Sequence, residues 1–138
     1  MGASSSHFSD AELACRHCSV NGCTQALVDA LEAFRALVGK PVKVDSAYRC
    51  PEHNAAIGGA GKSEHVEGLA ADIRVEGMTA VELEAAARKI PPIRGIGRDD
   101  HQQYIHVDVR PTPTLAQWCY AADGKWCGYY PPSADHPA

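Results

Sequence analysis

Two short stretches of this chain concentrate side chains able to hold a metal and act on water. The first, Ser63-Glu64-His65-Val66-Glu67-Gly68-Leu69-Ala70-Ala71-Asp72, offers a histidine and, seven residues on, an aspartate. The second, Tyr104-Ile105-His106-Val107-Asp108-Val109-Arg110, adds another histidine. Catalytic zinc sites use three nitrogen or oxygen ligands and keep a fourth position open, and His65, Asp72 and His106 fit that description. Spacing alone leaves the bland alternative standing, because a histidine is more often an ordinary surface or core residue and the chain has 7 of them. The helical HExxH signature is absent, which excludes the zinc peptidase plan built on it.

The elements that must position these residues are legible from periodicity. Tyr104 to Arg110 alternates, with Tyr104, His106, Asp108 and Arg110 on one face of a strand and Ile105, Val107 and Val109 on the other. Ala70 to Val75 sets Asp72 and Arg74 against Ile73 and Val75 in the same way. Val42–Ser46 and Ile93–Arg98 read as two further strands. Capping boxes at Ser9-Asp-Ala-Glu12 and Thr79-Ala-Val-Glu82 open two helices, the second running to Ile90 before Pro91-Pro92. Between them, Thr24 to Val38 carries Leu27, Leu31, Phe34, Leu37 and Val38 at helical spacing and is stopped by Gly39 and Pro41. Pro51–Ile57 reads as a short helix, followed by the Gly58-Gly59-Ala60-Gly61 loop. Residues 56–63 resemble the end of a phosphate-binding loop, but they follow a helical stretch and not a buried strand, which argues against a nucleotide site.

At 138 residues, 45% hydrophobic and 22% charged, the chain fits one globular domain over 1–138. Its core would span about 8–111, with 112–138 as a C-terminal hairpin and tail. A formal charge of −4 and no basic cluster argue against nucleic acid. No apolar run reaches the roughly 18 residues of a membrane span, and a monomer is expected. The start, Met1-Gly-Ala-Ser-Ser-Ser, has no charged and apolar leader pattern, which fits an expression start or another export route. The cysteines at 15, 18, 23 and 50 fit either a zinc cluster or disulfides. Cys119 and Cys127 flank Asp123-Gly124, and a three-residue Ala122-Asp123-Gly124 loop would set them directly opposite one another as a disulfide.

Ser63-x-His65-x-x-Gly68-x-Ala70-x-Asp72, followed by His106 in a strand, resembles the zinc D-alanyl-D-alanine carboxypeptidase family. That family includes phage L-alanoyl-D-glutamate endopeptidases and shares its fold with the hedgehog signalling domain. Ser46-Ala-Tyr-Arg49, Pro51-Glu-His-Asn54 and Gly95-Ile-Gly97 extend the likeness over about 8–111. The resemblance implies an α+β fold, a small antiparallel sheet with helices packed on one face and a zinc cleft on the other. It implies Zn2+ on His65, Asp72 and His106, with Arg49 holding a substrate carboxylate or the developing oxyanion. Ser63 would be a substrate contact or a turn cap.

One departure concerns the general base. Many relatives place a carboxylate three residues before the last histidine, where this chain has Gln103; others use a histidine five residues before, where it has His101. Asp100 and Asp108 are further candidates, Asp108 equally as a partner that orients a ligand. The expected reaction is hydrolysis of D-amino-acid peptide bonds in peptidoglycan, first at terminal D-Ala-D-Ala, otherwise within the stem peptide. The rival is a non-catalytic zinc-containing binding module of the hedgehog kind. Peptidoglycan peptides as partner place the protein in the periplasm, outside the cell, or in a phage lysis system.

Overall fold

The structure, a computed structural model, describes residues 2–57, 63–123 and 125–130. The described elements are α1 (Asp10–Leu13), α2 (Gln25–Val38), β1 (Lys43–Ser46), α3 (Pro51–Ala56), β2 (Ala70–Arg74), α4 (Ala80–Ala87), β3 (Gly95–Asp99), β4 (Tyr104–Asp108), β5 (Ala116–Tyr120) and β6 (Trp126–Tyr130). Both expected capping boxes form, Ser9 with Glu12 and Thr79 with Glu82, and Thr24 caps α2 through its side chain. Gly39 ends α2 in the left-handed conformation. Helix α4 stops at Ala87, short of the expected Ile90. Its last turn tightens into Lys89 N–H to Ala86 O and Ile90 N–H to Ala87 O bonds ahead of Pro91. The glycine loop at 58–61 lies outside the described residues.

The fold is α+β, and its sheet has the order β1-β2-β4-β3-β5-β6. The expected antiparallel sheet is present in β1, β2, β4 and β3, while β5 joins β3 in parallel, so the whole is mixed. Alternation divides the sheet's faces. Val44, Ala71, Ile73, Ile96, Ile105 and Val107 turn toward a core shared with Leu27, Leu31 and Phe34 of α2 and with Leu83 and Ala87 of α4. Asp72, His106 and Asp108 are left on the opposite face.

Strand β5 is fastened differently. On the helix side its Gln117 is buried and accepts from Arg88 Nε at 2.8 Å. Arg88 and the buried Arg98 both reach Glu84 Oε1, at 2.8 and 3.1 Å. A polar network under α4 therefore takes the place of apolar packing here.

The C-terminal hairpin starts in the expected register, with Ala121 N–H donating to Lys125 O and Tyr120 opposite Trp126. A bulge then makes Cys127 the extra residue and sets Cys119 opposite Gly128. The cysteines still meet: the Cys119–Cys127 disulfide is formed, with Cα atoms 5.3 Å apart.

Candidate metal centre

Neighbouring strands β2 and β4 pair Asp72 directly with His106, and the turn before β2 delivers His65. His65 Nε2 lies 3.3 Å and His106 Nδ1 3.2 Å from the same oxygen, Asp72 Oδ1. The far nitrogen of each ring is committed elsewhere. His65 Nδ1 lies 2.7 Å from the Ala47 carbonyl oxygen, and His106 Nε2 lies 2.7 Å from Asp108 Oδ2. Because a carbonyl and a carboxylate only accept, those nitrogens carry protons, and His65 Nε2 and His106 Nδ1 are the nitrogens turned toward Asp72. Two imidazole nitrogens and a carboxylate oxygen facing one another form a ligand set that a cation could bridge once the proton between them leaves. Zinc bonds of about 2.0–2.1 Å in tetrahedral geometry place ligand atoms about 3.3 Å apart. The spacings found fit that ion.

The electrostatics agree. Burial opposes ionisation of Asp72, yet His65 and His106 hold its carboxyl well below the usual range. Burial likewise opposes a charge on His106, but Asp108 and Asp72 outweigh it and raise the imidazole to about 9. Asp108 is fully buried, and despite that burial Arg110 and His106 keep it ionised to unusually low pH. Arg110 Nε and Nη2 reach its two oxygens at 2.8 Å each. Both oxygens being engaged, Asp108 orients the His106 ring.

Arg49 stands at the edge of the cluster, donating to Ser46 Oγ, to Asn54 Oδ1 and, at 3.5 Å, to Asp72 Oδ2. It combines the ion-pair reading with a place beside the ligands. Ser63 Oγ accepts the His65 N–H at 3.2 Å, which is the turn-cap role.

The residues considered for proton transfer are scattered. His101 sits in the exposed turn between β3 and β4, where its backbone N–H donates to Asp99 Oδ1 at 2.9 Å. Asp100 is an ion-pair partner of Arg98. Gln103, at positive φ, turns its side chain to the N-terminus of α4, where Oε1 accepts the Ala80 N–H. With this orientation a carboxylate at 103 would face the N-terminus of α4 and not the His65, Asp72, His106 cluster, contrary to its expected equivalence with the relatives' base.

Sequence reasoning missed one wall of the site. The Trp118 ring packs against His106 with centroids 5.1 Å apart, and Arg110 lies over the indole. Tyr120 stacks on Tyr104 at 6.1 Å. Burial, aided by the charge of Asp72, pushes the Tyr120 phenol up to about 12 and Tyr104 in the same direction, so both remain donors. The signal was the i, i+2 spacing of Trp118 and Tyr120 on a strand. The Gly95-Ile-Gly97 motif gains a reason: a Cβ at Gly95 would strike the Asp108 carboxylate, and one at Gly97 the Trp118 indole. Glu64, also missed, is a half-buried carboxyl raised by burial and by the charge of Asp108, with Arg110 and His106 opposing.

A sequence profile of the family described as Peptidase M15 matches residues 6–108. Among curated proteins the chain is similar to the peptidoglycan L,D-endopeptidase MepK of Escherichia coli K12, 32% identical over 92 residues, which is 62% of this chain and 50% of that protein. It is also similar to the zinc D-Ala-D-Ala carboxypeptidase of Streptomyces albus G, 35% identical over 80 residues, which is 56% of this chain and 31% of that protein. The chain thus spans half or less of the length of these relatives.

Proposed function

The chain belongs to the peptidase M15 family, and from that premise we propose that it is a zinc-dependent peptidase cutting D-amino-acid-containing peptide bonds of peptidoglycan. The observation that carries the reading is the convergence of His65 Nε2 and His106 Nδ1 on Asp72 Oδ1, with each ring's other nitrogen already anchored. A zinc ion held by His65, Asp72 and His106 would lower the pKa of a water toward about 7 and polarise the scissile carbonyl. Arg49, fixed by Ser46 and Asn54, presents a planar cation to the substrate's terminal carboxylate or to the oxygen that gains charge. In the first of these roles Arg49 suits release of a terminal D-alanine; in the second it serves an internal cut equally. Ser63, once its turn is closed, adds a hydroxyl at the rim.

His101 is the general base of this reading, taking the water's proton at a ring nitrogen and returning it to the leaving amine. A second reading gives that role to Glu64, the half-buried carboxyl directly before His65 in the chain, which burial and the charge of Asp108 raise. Asp108 acts through His106 by holding its ring.

Work on peptidoglycan would require export from the cytoplasm, and the Cys119–Cys127 disulfide, stable in an oxidising compartment, supports that reading. The deciding experiment incubates zinc-loaded protein with purified peptidoglycan and identifies the released products by mass spectrometry. Loss of single D-alanine residues is expected. Fragments cut elsewhere would make it an endopeptidase, and intact peptidoglycan would overturn hydrolysis in favour of a binding module.

A further inference from the structure

A second constellation of metal-binding side chains lies apart from the histidines. The sulfurs of Cys15, Cys18 and Cys50 all lie within 4.8 Å of one another, and Cys15 Sγ is 3.7 Å from Cys50 Sγ. Four-coordinate zinc with Zn–S bonds of about 2.3 Å sets its sulfurs about 3.8 Å apart. A disulfide needs about 2.05 Å and would leave one of the three thiols over. Backbone amides already point at these sulfurs: His17 and Cys50 donate to Cys15 Sγ and His53 to Cys50 Sγ, each at 3.4 Å. Such N–H···S bonds are the support a thiolate takes. Cys23, which the sequence grouped with these cysteines, is elsewhere: its buried sulfur faces the Leu13 carbonyl.

We propose that Cys15, Cys18 and Cys50 hold a second, structural zinc ion by three thiolates. The fourth ligand is water or, once its ring turns toward the sulfurs, His17 or His53, whose rings stack 5.8 Å apart and whose backbone amides contact the cluster. Its position gives the ion a task. Cys50 directly follows Arg49, and the Ala47 carbonyl that fixes His65 lies in the same turn. A metal joining Cys50 to the Cys15–Cys18 loop would staple that turn from behind, and exposed Cys18 gives the ion a way in.

The test replaces zinc by Co2+ in reduced protein and reads the near-ultraviolet thiolate-to-cobalt charge-transfer band, which a His, Asp, His site cannot produce. Two metals per chain and a strong band are expected in the wild type. Cys18→Ser, at an exposed position, and Cys50→Ser should each lose the band and one metal. His65→Ala should lose the other metal and keep the band, so failure of either site is seen separately. Absence of the band from wild-type protein, or a Cys15–Cys50 disulfide found by peptide mapping of zinc-replete protein, would overturn the proposal.

Discussion

Metal binding at the His65, Asp72, His106 site should release a proton, and the structure says which one. Without metal, His106 lies between Asp72 Oδ1 and Asp108 Oδ2, and the two carboxylates raise it to about 9. A ligand must give up the proton on Nδ1. About two units separate that value from pH 7, so displacing the proton costs about 2.7 kcal/mol there. Affinity should climb about tenfold per pH unit from about pH 7 toward 9 and then level off. Stability of the metal-free protein runs the other way. A raised histidine pKa contributes stability that is complete below about 6.5 and lost as pH rises through about 9. The depressed Asp72 and Asp108 contribute above their ordinary range near 3.8, and this is lost in acid. The metal-free protein should therefore melt highest between about pH 4 and 6.5, and the melting shift on adding zinc should grow from there to pH 9. Titration calorimetry in buffers of different ionisation enthalpy counts the protons. Asp108→Asn serves as reference: it removes one carboxylate from His106, which lowers both its basicity and the protons released. It should also weaken zinc by roughly 10–100-fold, the range for a lost orienting partner. Equal proton release in both proteins, or an affinity flat from about pH 6.5 to 8.5, would refute the reasoning.

The remaining expectations concern catalysis and packing. His101→Ala should lower kcat by roughly 10² with zinc retained; if it keeps full activity and Glu64→Gln loses it, the base is Glu64. Arg49→Lys keeps the charge but not the planar fork, and should raise KM for a substrate with a free terminal carboxylate more than for one whose terminus is amidated. Equal effects on both would sink the carboxylate-binding role. Glu84→Ala leaves the buried Arg98 with the exposed Asp100 as its remaining ion-pair partner among the described residues and removes the carboxylate that joins α4 to β3, and should cost about 1–3 kcal/mol in urea unfolding.

The features legible in the sequence were those written in local chemistry. Ser9 with Glu12 and Thr79 with Glu82 announce helix starts because a cap needs only an i, i+3 pair. The candidate metal ligands come from the family resemblance of the motif, and strand alternation places two of them, Asp72 and His106, on the polar faces of two strands that turn out to be neighbours. What stayed hidden depends on contacts between distant segments. Gln103 cannot be assigned from its spacing to His106, because its positive φ sends the side chain toward α4. Strand β5 escaped the core estimate because its inward residue is Gln117, whose side-chain oxygen is held by an arginine from 29 positions away. The bulge at Cys127 likewise follows from how the hairpin joins a larger sheet and not from its loop.

That hairpin changes what the site is. The family match ends at residue 108, with the pairing of Asp108 to His106, yet the ring that covers His106 comes from Trp118 on β5. The indole removes water from one side of the imidazole, and charge pairs there gain strength because the surroundings screen them less. Arg110 links the two parts, since its guanidinium holds Asp108 while lying over the Trp118 ring. The glycine at 97 leaves the space that the indole fills. Cys119, between Trp118 and Tyr120, is tied to β6, so the disulfide restrains the very strand that carries the aromatic wall. Residues beyond the matched span thus shape the environment of a candidate metal ligand within it. Differences in this hairpin between relatives that share the ligand set would alter the site without touching a single ligand.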